Sequence, residues 1–382
     1  MPWKETTHVS QRHEFVLLAQ QEGADLSLLC RRFHVSRKTG YKWLKHFRQG
    51  GADGLRDRTR RPHASPARTP PAVEQQVLKL RAAHPAWGGR KLRARLLALG
   101  HDQTPAASTV TAILRRHGQL NADGAAPHKP LVRFEHAAPN ELWQMDFKGY
   151  FPLAAGRCHP LTVLDDHSRF SLGVAACSDE QTETVRRALR DIFRRYGLPW
   201  RITCDNGAPW GHWRDGRGCL TQLGVWLVRL GVRLSHSRPH HPQTQGKDER
   251  FHRTLKLELL RDYAWRDVAE CQTAFDRWRT TYNCERPHEA LGLAVPASRY
   301  EPSCRPFPEE LPAVEYAAGE VVRKVEASGQ IKFERRHLFI GHGLRGMAVA
   351  LRPTTTDGVL TVHFCHQRIM ELDLRELPAQ HS

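Results

Sequence analysis

The apolar residues of this 382-residue chain change their period twice, which limits its possible folds more than any other feature. Up to Gly118 they recur at helical spacing; from Glu141 strand-like alternation mixes with helical stretches; from about Gly319 short β runs alternate with turns. No single periodic architecture fits all three. At roughly 100–200 residues per domain, the length agrees with two to four units.

Phe15, Leu18 and Ala19, then Leu28, Leu29 and Phe33, then Trp43, Leu44 and Phe47 predict three helices, with Ser36 placed to cap the third. Arg37, Lys38, Thr39 and Lys42, followed by Lys45, lie where a helix-turn-helix presents side chains to the major groove. A three-helix bundle with a solvated basic face has the same pattern. Residues 1–49 are therefore read as a helix-turn-helix DNA-binding domain. The stretch GGADGLRDRTRRPHASPARTPP has too few apolar residues for a core, so 50–71 is read as a linker. Its Arg58, Arg60 and Arg61 either follow a DNA backbone or are simply solvated. Residues 72–120 are helical again, with Gly100 and Gly118 as terminators, and are read as a second helix-turn-helix. Arg90, Lys91, Arg115 and Arg116 are its expected DNA contacts, the alternative being ordinary exposed helix faces.

Charge agrees with this division. Lys and Arg outnumber Asp and Glu by 58 to 40, a net charge of +18, and 24 of the basic residues against 10 acids precede His136. Such a balance favours a polyanionic partner, and the first third carries most of the excess. No run approaches the roughly 18 apolar residues of a membrane span. The nine scattered Cys contain no C-x-x-C pair. A reducing, cytoplasmic location is expected, with no membrane partner.

After a connector over 121–135, the segments ELWQMDFKG, HPLTVLDD and RFSLGVAAC predict three strands at hairpin-length gaps. Helix and strand then alternate through ETVRRALRDIFRRYG, PWRITCDNG, LGVWLVRLG and VRLSHS, which predicts a mixed α/β sheet with helices packed on it. Residues 315–382 predict a small all-β barrel, with Asp357-Gly358 as a hairpin turn.

Three acids carry the candidate chemistry. Asp146 interrupts an apolar strand, where a charge needs a partner or solvent; a paired core aspartate is the alternative to a catalytic one. Asp205 follows a likely central strand, at a position where sites assemble in α/β sheets. Two such acids at neighbouring strand ends repel unless a cation lies between them, and oxygen-ligated Mg²⁺ is the natural counter-charge. In PHHPQTQGKDERFHRTLK, helix phase puts Asp248 in the stripe of Phe251 and Leu255, whereas Glu249 heads a polar strip with Arg253 and Lys256. Glu249 is therefore the third candidate, with Lys247, Arg253 and Lys256 expected at DNA. Asp165 and Asp166 are read as turn and sheet-edge acids, and Trp210 and Trp213 as packing of an inserted loop rather than stacking platforms.

The stretches WQMDFKG, LTVLDDHSRF, TCDNG, HPQTQGKDERFHRTLK and YNCERPHEALG, with GLRDRTRRP, resemble the DDE transposases of bacterial insertion sequences. These are retroviral-integrase-like proteins, and the chain most resembles insertion-sequence family 481. The resemblance implies a ribonuclease-H-like core over 136–302, in which Asp146, Asp205 and Glu249 hold two Mg²⁺ or Mn²⁺ ions per site. It also implies cleavage at the terminal inverted repeats of an element and joining to target double-stranded DNA, by a homo-oligomer in a synaptic complex. A bacterial, nucleoid-associated cytoplasmic protein is then expected. The 44 positions between Asp205 and Glu249 exceed the usual spacing, with WGHWRDGRGCLTQ as the inserted material. Two rival readings remain: a DNA-binding regulator whose core no longer reacts, and a nuclease that cuts RNA–DNA hybrids.

Overall fold

A computed structural model describes residues 8–57, 69–120, 135–214, 217–236, 246–261 and 264–375. The side chains of 212–218 are not described, and Arg58, Arg60, Arg61, His240 and His241 lie outside the described residues. The chain forms two compact units, Met1–Arg68 and Thr69–Ser382.

The first unit consists of α1 (His8–Ala19), α2 (Leu26–Arg32) and α3 (Arg37–Gly50), closed by a short 3₁₀ turn that buries Leu55. The Ser36 hydroxyl caps α3 by accepting from Thr39 N at 3.2 Å, as its position in the sequence predicts. Gly40 lets α3 approach its neighbours: a Cβ there would lie 2.7 Å from Cys30 Sγ. Leu28, read from periodicity as part of the apolar stripe, is 59% exposed; α2 has only seven residues and buries Cys30 instead.

The second unit opens with α4 (Pro71–Ala83), α5 (Gly89–Ala98) and α6 (Ala107–Arg116) around Val77, Trp87, Leu92, Leu96, Val110, Ile113 and Leu114. Gly100 and Gly118 adopt φ of +82° and +66°, the left-handed conformation that ends a helix at low cost.

The central sheet comprises β1 (Trp143–Phe147), β2 (Phe151–Pro152), β3 (Arg157–Asp165), β4 (Ser171–Cys177), then α7 (Thr182–Tyr196) and β5 (Arg201–Cys204). A hairpin, β6 (Gly211–Arg214) and β7 (Arg217–Leu220), follows, and then α8 (Gln222–Arg229) and β8 (Arg233–His236). β3 pairs antiparallel with β1 and β4, whereas β5 runs parallel to β1 and to β8. This is the mixed α/β sheet that the sequence predicts. Trp143 and Met145 point into one core with Phe193 and Trp226, from α7 and α8. The opposite face packs Leu164 and Val174 against Phe251 and Leu255 of α9 (Gly246–Leu255) and Phe275, Trp278 and Tyr282 of α10 (Val268–Cys284). Period-2 alternation in β1 therefore aims Gln144 and Asp146 toward the α9 side.

The C-terminal region corrects the barrel expectation. β9 (Val321–Lys324), β12 (Ala348–Pro353), β13 (Val359–Phe364) and β14 (Gln367–Asp373) form a four-stranded antiparallel sheet whose edges are β9 and β14. β10 (Gln330–Phe333) and β11 (Arg336–Phe339) form a separate hairpin. Alternation in sequence reveals a buried face but not whether the sheet closes on itself. Here Val349, Leu351, Val362 and Phe364 share a core with Val225 and Val228 of α8, so helix packing replaces closure. The Gln367 carboxamide accepts from Leu234 N at 2.9 Å and donates to Leu234 O at 3.4 Å, satisfying part of the open edge at β8.

Candidate active site

The register of β1 against β5 pairs Trp143 with Ile202 and Gln144 with Thr203. Two residues further along each chain stand Asp146 and, immediately after β5, Asp205. With parallel strands about 4.8 Å apart, the topology brings these carboxylates to adjacent positions although they are distant in sequence.

Asp146 pays an electrostatic penalty there. Burial pushes its pKa up to about 6; a backbone N–H at Phe147 opposes the rise and the charge of Asp205 adds to it. Asp205 is exposed, and its Oδ1 accepts from Asn206 N at 2.6 Å. A cation shared by two such oxygens relieves both the desolvation and the repulsion, and an all-oxygen donor pair suits Mg²⁺ or Mn²⁺. Among the described residues no three His, Cys, Asp or Glu side chains converge into a metal-holding group.

The first turn of α9 separates its two acids. Asp248 is 3% exposed and its Oδ1 has no hydrogen-bond partner among the described residues. Burial raises its pKa well above the ordinary carboxylate value, and the charges of Asp146 and Asp166 add to the effect, so this carboxyl is neutral at pH 7. Glu249 is exposed, as are Arg253 and Lys256. The structure thus places Asp146 beside Asp205 and Asp248 near Asp146, while Glu249 stands on the open side of the helix.

Lys247 is placed otherwise than expected: its ammonium pairs with the buried Asp166 carboxylate rather than facing DNA. Asp166 also accepts from Gln144 Nε2 at 2.8 Å and His136 N at 3.0 Å, joining α9 to β1 and to the end of β3. Asp165 closes the adjoining turn by accepting from Ser168 Oγ at 2.6 Å and Asn140 N at 2.8 Å. Both acids are therefore buried structural anchors, deeper than the sheet-edge role read from sequence.

Sequence reasoning missed His252, one turn beyond Glu249. Thr162 Oγ1 donates its one proton to Asp146 O at 3.0 Å, so it accepts from His252 Nε2–H at 2.8 Å. This fixes the tautomer and leaves the Nδ1 lone pair toward Asp146, 4.0 Å from Oδ2. Burial, reinforced by Lys148, lowers the His252 pKa to about 4, so the contact is not an ion pair at neutral pH. The i, i+3 spacing from Glu249 was the available sequence signal.

Of the other expected DNA contacts, Arg37, Lys38, Lys42 and Lys45 are exposed along α3, and Thr39 is half-buried against Ser36. Arg90 and Arg115 are exposed, while Arg116 pairs with Glu74. Lys91 turns inward: burial, with Arg286 nearby, lowers its pKa to about 8, and Glu258 and Glu289 share its surroundings. The neighbouring Arg95 bonds Glu285 at 2.8 Å, just past α10, so this face of α5 is occupied by the core. Trp210 is 4% exposed and packs on Phe147, as the packing reading expected.

A pH test follows from Asp146. Its raised pKa means that ionisation costs folding stability above about pH 6, and that this cost disappears as pH falls below the ordinary carboxylate value. Asp146→Asn is expected to stabilise the metal-free protein by about 1–3 kcal/mol at pH 8 and by almost nothing below about pH 4. Denaturant titrations at the two pH values measure the difference.

The comparisons with known proteins agree with this arrangement. Residues 136–242 match the family "Integrase core domain", and 230–296 match a second family of that description. Residues 11–63 match "Helix-turn-helix domain", 39–114 match "Homeodomain-like domain", and 320–380 match "IS481 family transposase, C-terminal domain". An uncharacterized 31.7 kDa protein of insertion element IS407 from Burkholderia multivorans is 27% identical over 160 residues, covering 42% of this chain and 55% of that one. The transposase for insertion sequence element IS904 from Lactococcus lactis is 28% identical over 187 residues, covering 47% of this chain and 70% of that one. The HTLV-2 integrase catalytic core, solved with magnesium, aligns at 16% identity and a TM-score of 0.33, over 43% of this chain and 99% of that one. The chain spans about half the length of the first curated relatives it matches. Among the described residues no helix is long and apolar enough to cross a membrane.

Proposed function

With the chain belonging to the integrase-core transposases of the IS481 type, we propose that it is a polynucleotidyl transferase that moves an insertion sequence. It binds the terminal inverted repeats through its helix-turn-helix modules and carries out strand cleavage and strand transfer into target DNA. The observation that supports this most is the Asp146–Asp205 pair on adjacent parallel strands, one member raised to about pKa 6.

Asp146 and Asp205 would hold divalent cations, with Glu249 as the third ligand, and two Mg²⁺ or Mn²⁺ ions when bound supply Lewis-acid stabilisation of charge at phosphorus. The protein's own groups do the rest. Buried walls around Asp146 strengthen its interaction with any cation. Lys247, held by Asp166, anchors the first turn of α9 and so limits where Glu249 can reach. Arg253 and Lys256, on the exposed side of that helix, meet phosphates. The modules over 1–49 and 72–120 supply recognition, the core over 136–302 the chemistry, and 315–382 support along the β8 edge. A homo-oligomer would bring two element ends together, in a bacterial cytoplasm at the nucleoid.

A joining assay tests the reading. Duplexes carrying the gene's own flanking repeats should be joined to plasmid DNA with Mg²⁺ and not with EDTA. Tight, specific binding without joined product would favour the regulator, and preferential cutting of RNA–DNA hybrids would favour the nuclease.

A further inference from the structure

A second basic site lies at the end of the sheet opposite the two acids. Arg201 opens β5 and Arg233 opens β8, and the two are direct partners in the parallel register. Adjacent strands therefore hold two arginines about 4.8 Å apart at Cα, on the same face of the sheet. Both are exposed, and neither has an acidic partner among the described residues. Such a pair repels itself unless an anion lies between.

Trp200, the residue before Arg201, is 58% exposed. One side of its ring is covered by Arg305, whose Cζ lies 4.5 Å from the ring centroid. Arg305 is itself fixed by the carbonyls of Leu230 at 3.2 Å, Gly231 at 2.9 Å and Pro199. The indole is thus propped from behind by a built-in cation. With His136 and Glu141 these residues line a cleft of about 300 Å³. The Glu141 carboxylate does not neutralise it, being turned to Ala137 N at 3.0 Å and His136 Nδ1 at 3.3 Å. Burial, with Arg233 and Arg305 adding to it, lowers the pKa of nearby His366, in keeping with a positive field.

We propose that this cleft is a DNA-backbone site: Arg201 and Arg233 take a phosphate between them, and the open face of Trp200 packs on the adjoining sugar or base. Arg201 stands four residues before Asp205, roughly 13 Å along a strand. One phosphate cannot occupy both places, so the cleft holds a DNA segment separate from the one undergoing reaction. His136 follows directly on the connector from the second helix-turn-helix, so DNA carried by that module has a route to it. Guanidinium forks suit phosphate, and aromatic faces accept any base, so sequence-independent binding is expected.

This inference rests on the reading of the chain as a DNA-acting enzyme, and the experiment separates the two. Full-length protein is titrated with a fluorescent duplex of unrelated sequence at several salt concentrations, without divalent metal. Arg201→Gln/Arg233→Gln should weaken binding at least about tenfold and flatten the plot of log affinity against log salt by about 2. Arg201→Lys/Arg233→Lys should keep the wild-type salt slope, and Trp200→Ala should lose affinity with the slope unchanged. All four side chains are at the surface, so matching melting curves show that the variants are folded. If the Gln pair keeps the wild-type slope and affinity, the site is refuted. If wild type itself fails to bind duplex, the transposase reading fails instead. If the Gln pair changes self-association and leaves DNA binding alone, the cleft is a protein interface and the proposal is likewise overturned.

Discussion

Asp146→Asn and Asp205→Asn are each expected to lower DNA joining by about a thousandfold or more, while DNA affinity stays within about threefold of wild type. The expectation follows from what the two oxygens do for the fold, which is little. Asp146 Oδ2 lies 4.0 Å from His252 Nδ1, too far for a hydrogen bond, and Asp205 bonds only the adjacent Asn206 N. A carboxylate kept where burial raises its pKa to about 6, at a cost to stability, is retained for chemistry. Losing several kcal/mol of charge stabilisation at phosphorus corresponds to a factor of about a thousand. The same assay decides between the acids of α9. Glu249→Gln should match the other two losses, whereas Asp248→Asn, which replaces a neutral buried carboxyl by its amide, should retain most activity. Joining measured on pre-nicked repeat ends, beside anisotropy for binding, reads both quantities.

Lys247→Met should destabilise the chain by about 3–5 kcal/mol, the largest stability effect expected from a single substitution near the site. It would leave the Asp166 carboxylate, whose side chain is 2% exposed, charged and short of its cation. Gln144 Nε2 and His136 N would remain as donors but cannot neutralise it. Because the pair ties α9 to β1 and β3, the loss should extend to Glu249. Asp166→Asn combined with Lys247→Met should recover part of the stability, since the stranded charge is then gone. Urea unfolding of the three variants measures this; a Lys247→Met value within about 1 kcal/mol of wild type would mean that the pair carries little.

Much of this was legible in sequence because the signals are local. Ser36 as a cap and Gly100 and Gly118 as terminators need only neighbouring residues, and alternation in WQMDF already turns Asp146 away from Trp143. Helix phase likewise anticipated a buried Asp248 and an exposed Glu249. What the sequence could not supply was partnership at long range. Lys247 looked like a DNA contact because Asp166, 81 positions earlier, gives no local sign of being its counter-ion. Lys91 looked exposed because the docking of α5 against Glu258 and Glu289 has no periodic signature. His252 is tied to Thr162 across 90 positions, and barrel closure depends on edge strands meeting in space. Arg201 and Arg233 become neighbours only once β5 and β8 pair.

The central claim is that Asp146, Asp205 and Glu249 grip the same divalent cations. Crystals soaked in Mn²⁺ and measured at the manganese absorption edge test it directly. The account predicts anomalous peaks bonded to oxygens of Asp146 and Asp205, with the Glu249 carboxylate drawn in to complete the coordination. Peaks bonded to Asp248 with Glu249 left in solvent, or no manganese at Asp146 and Asp205 at saturating concentration, would contradict it.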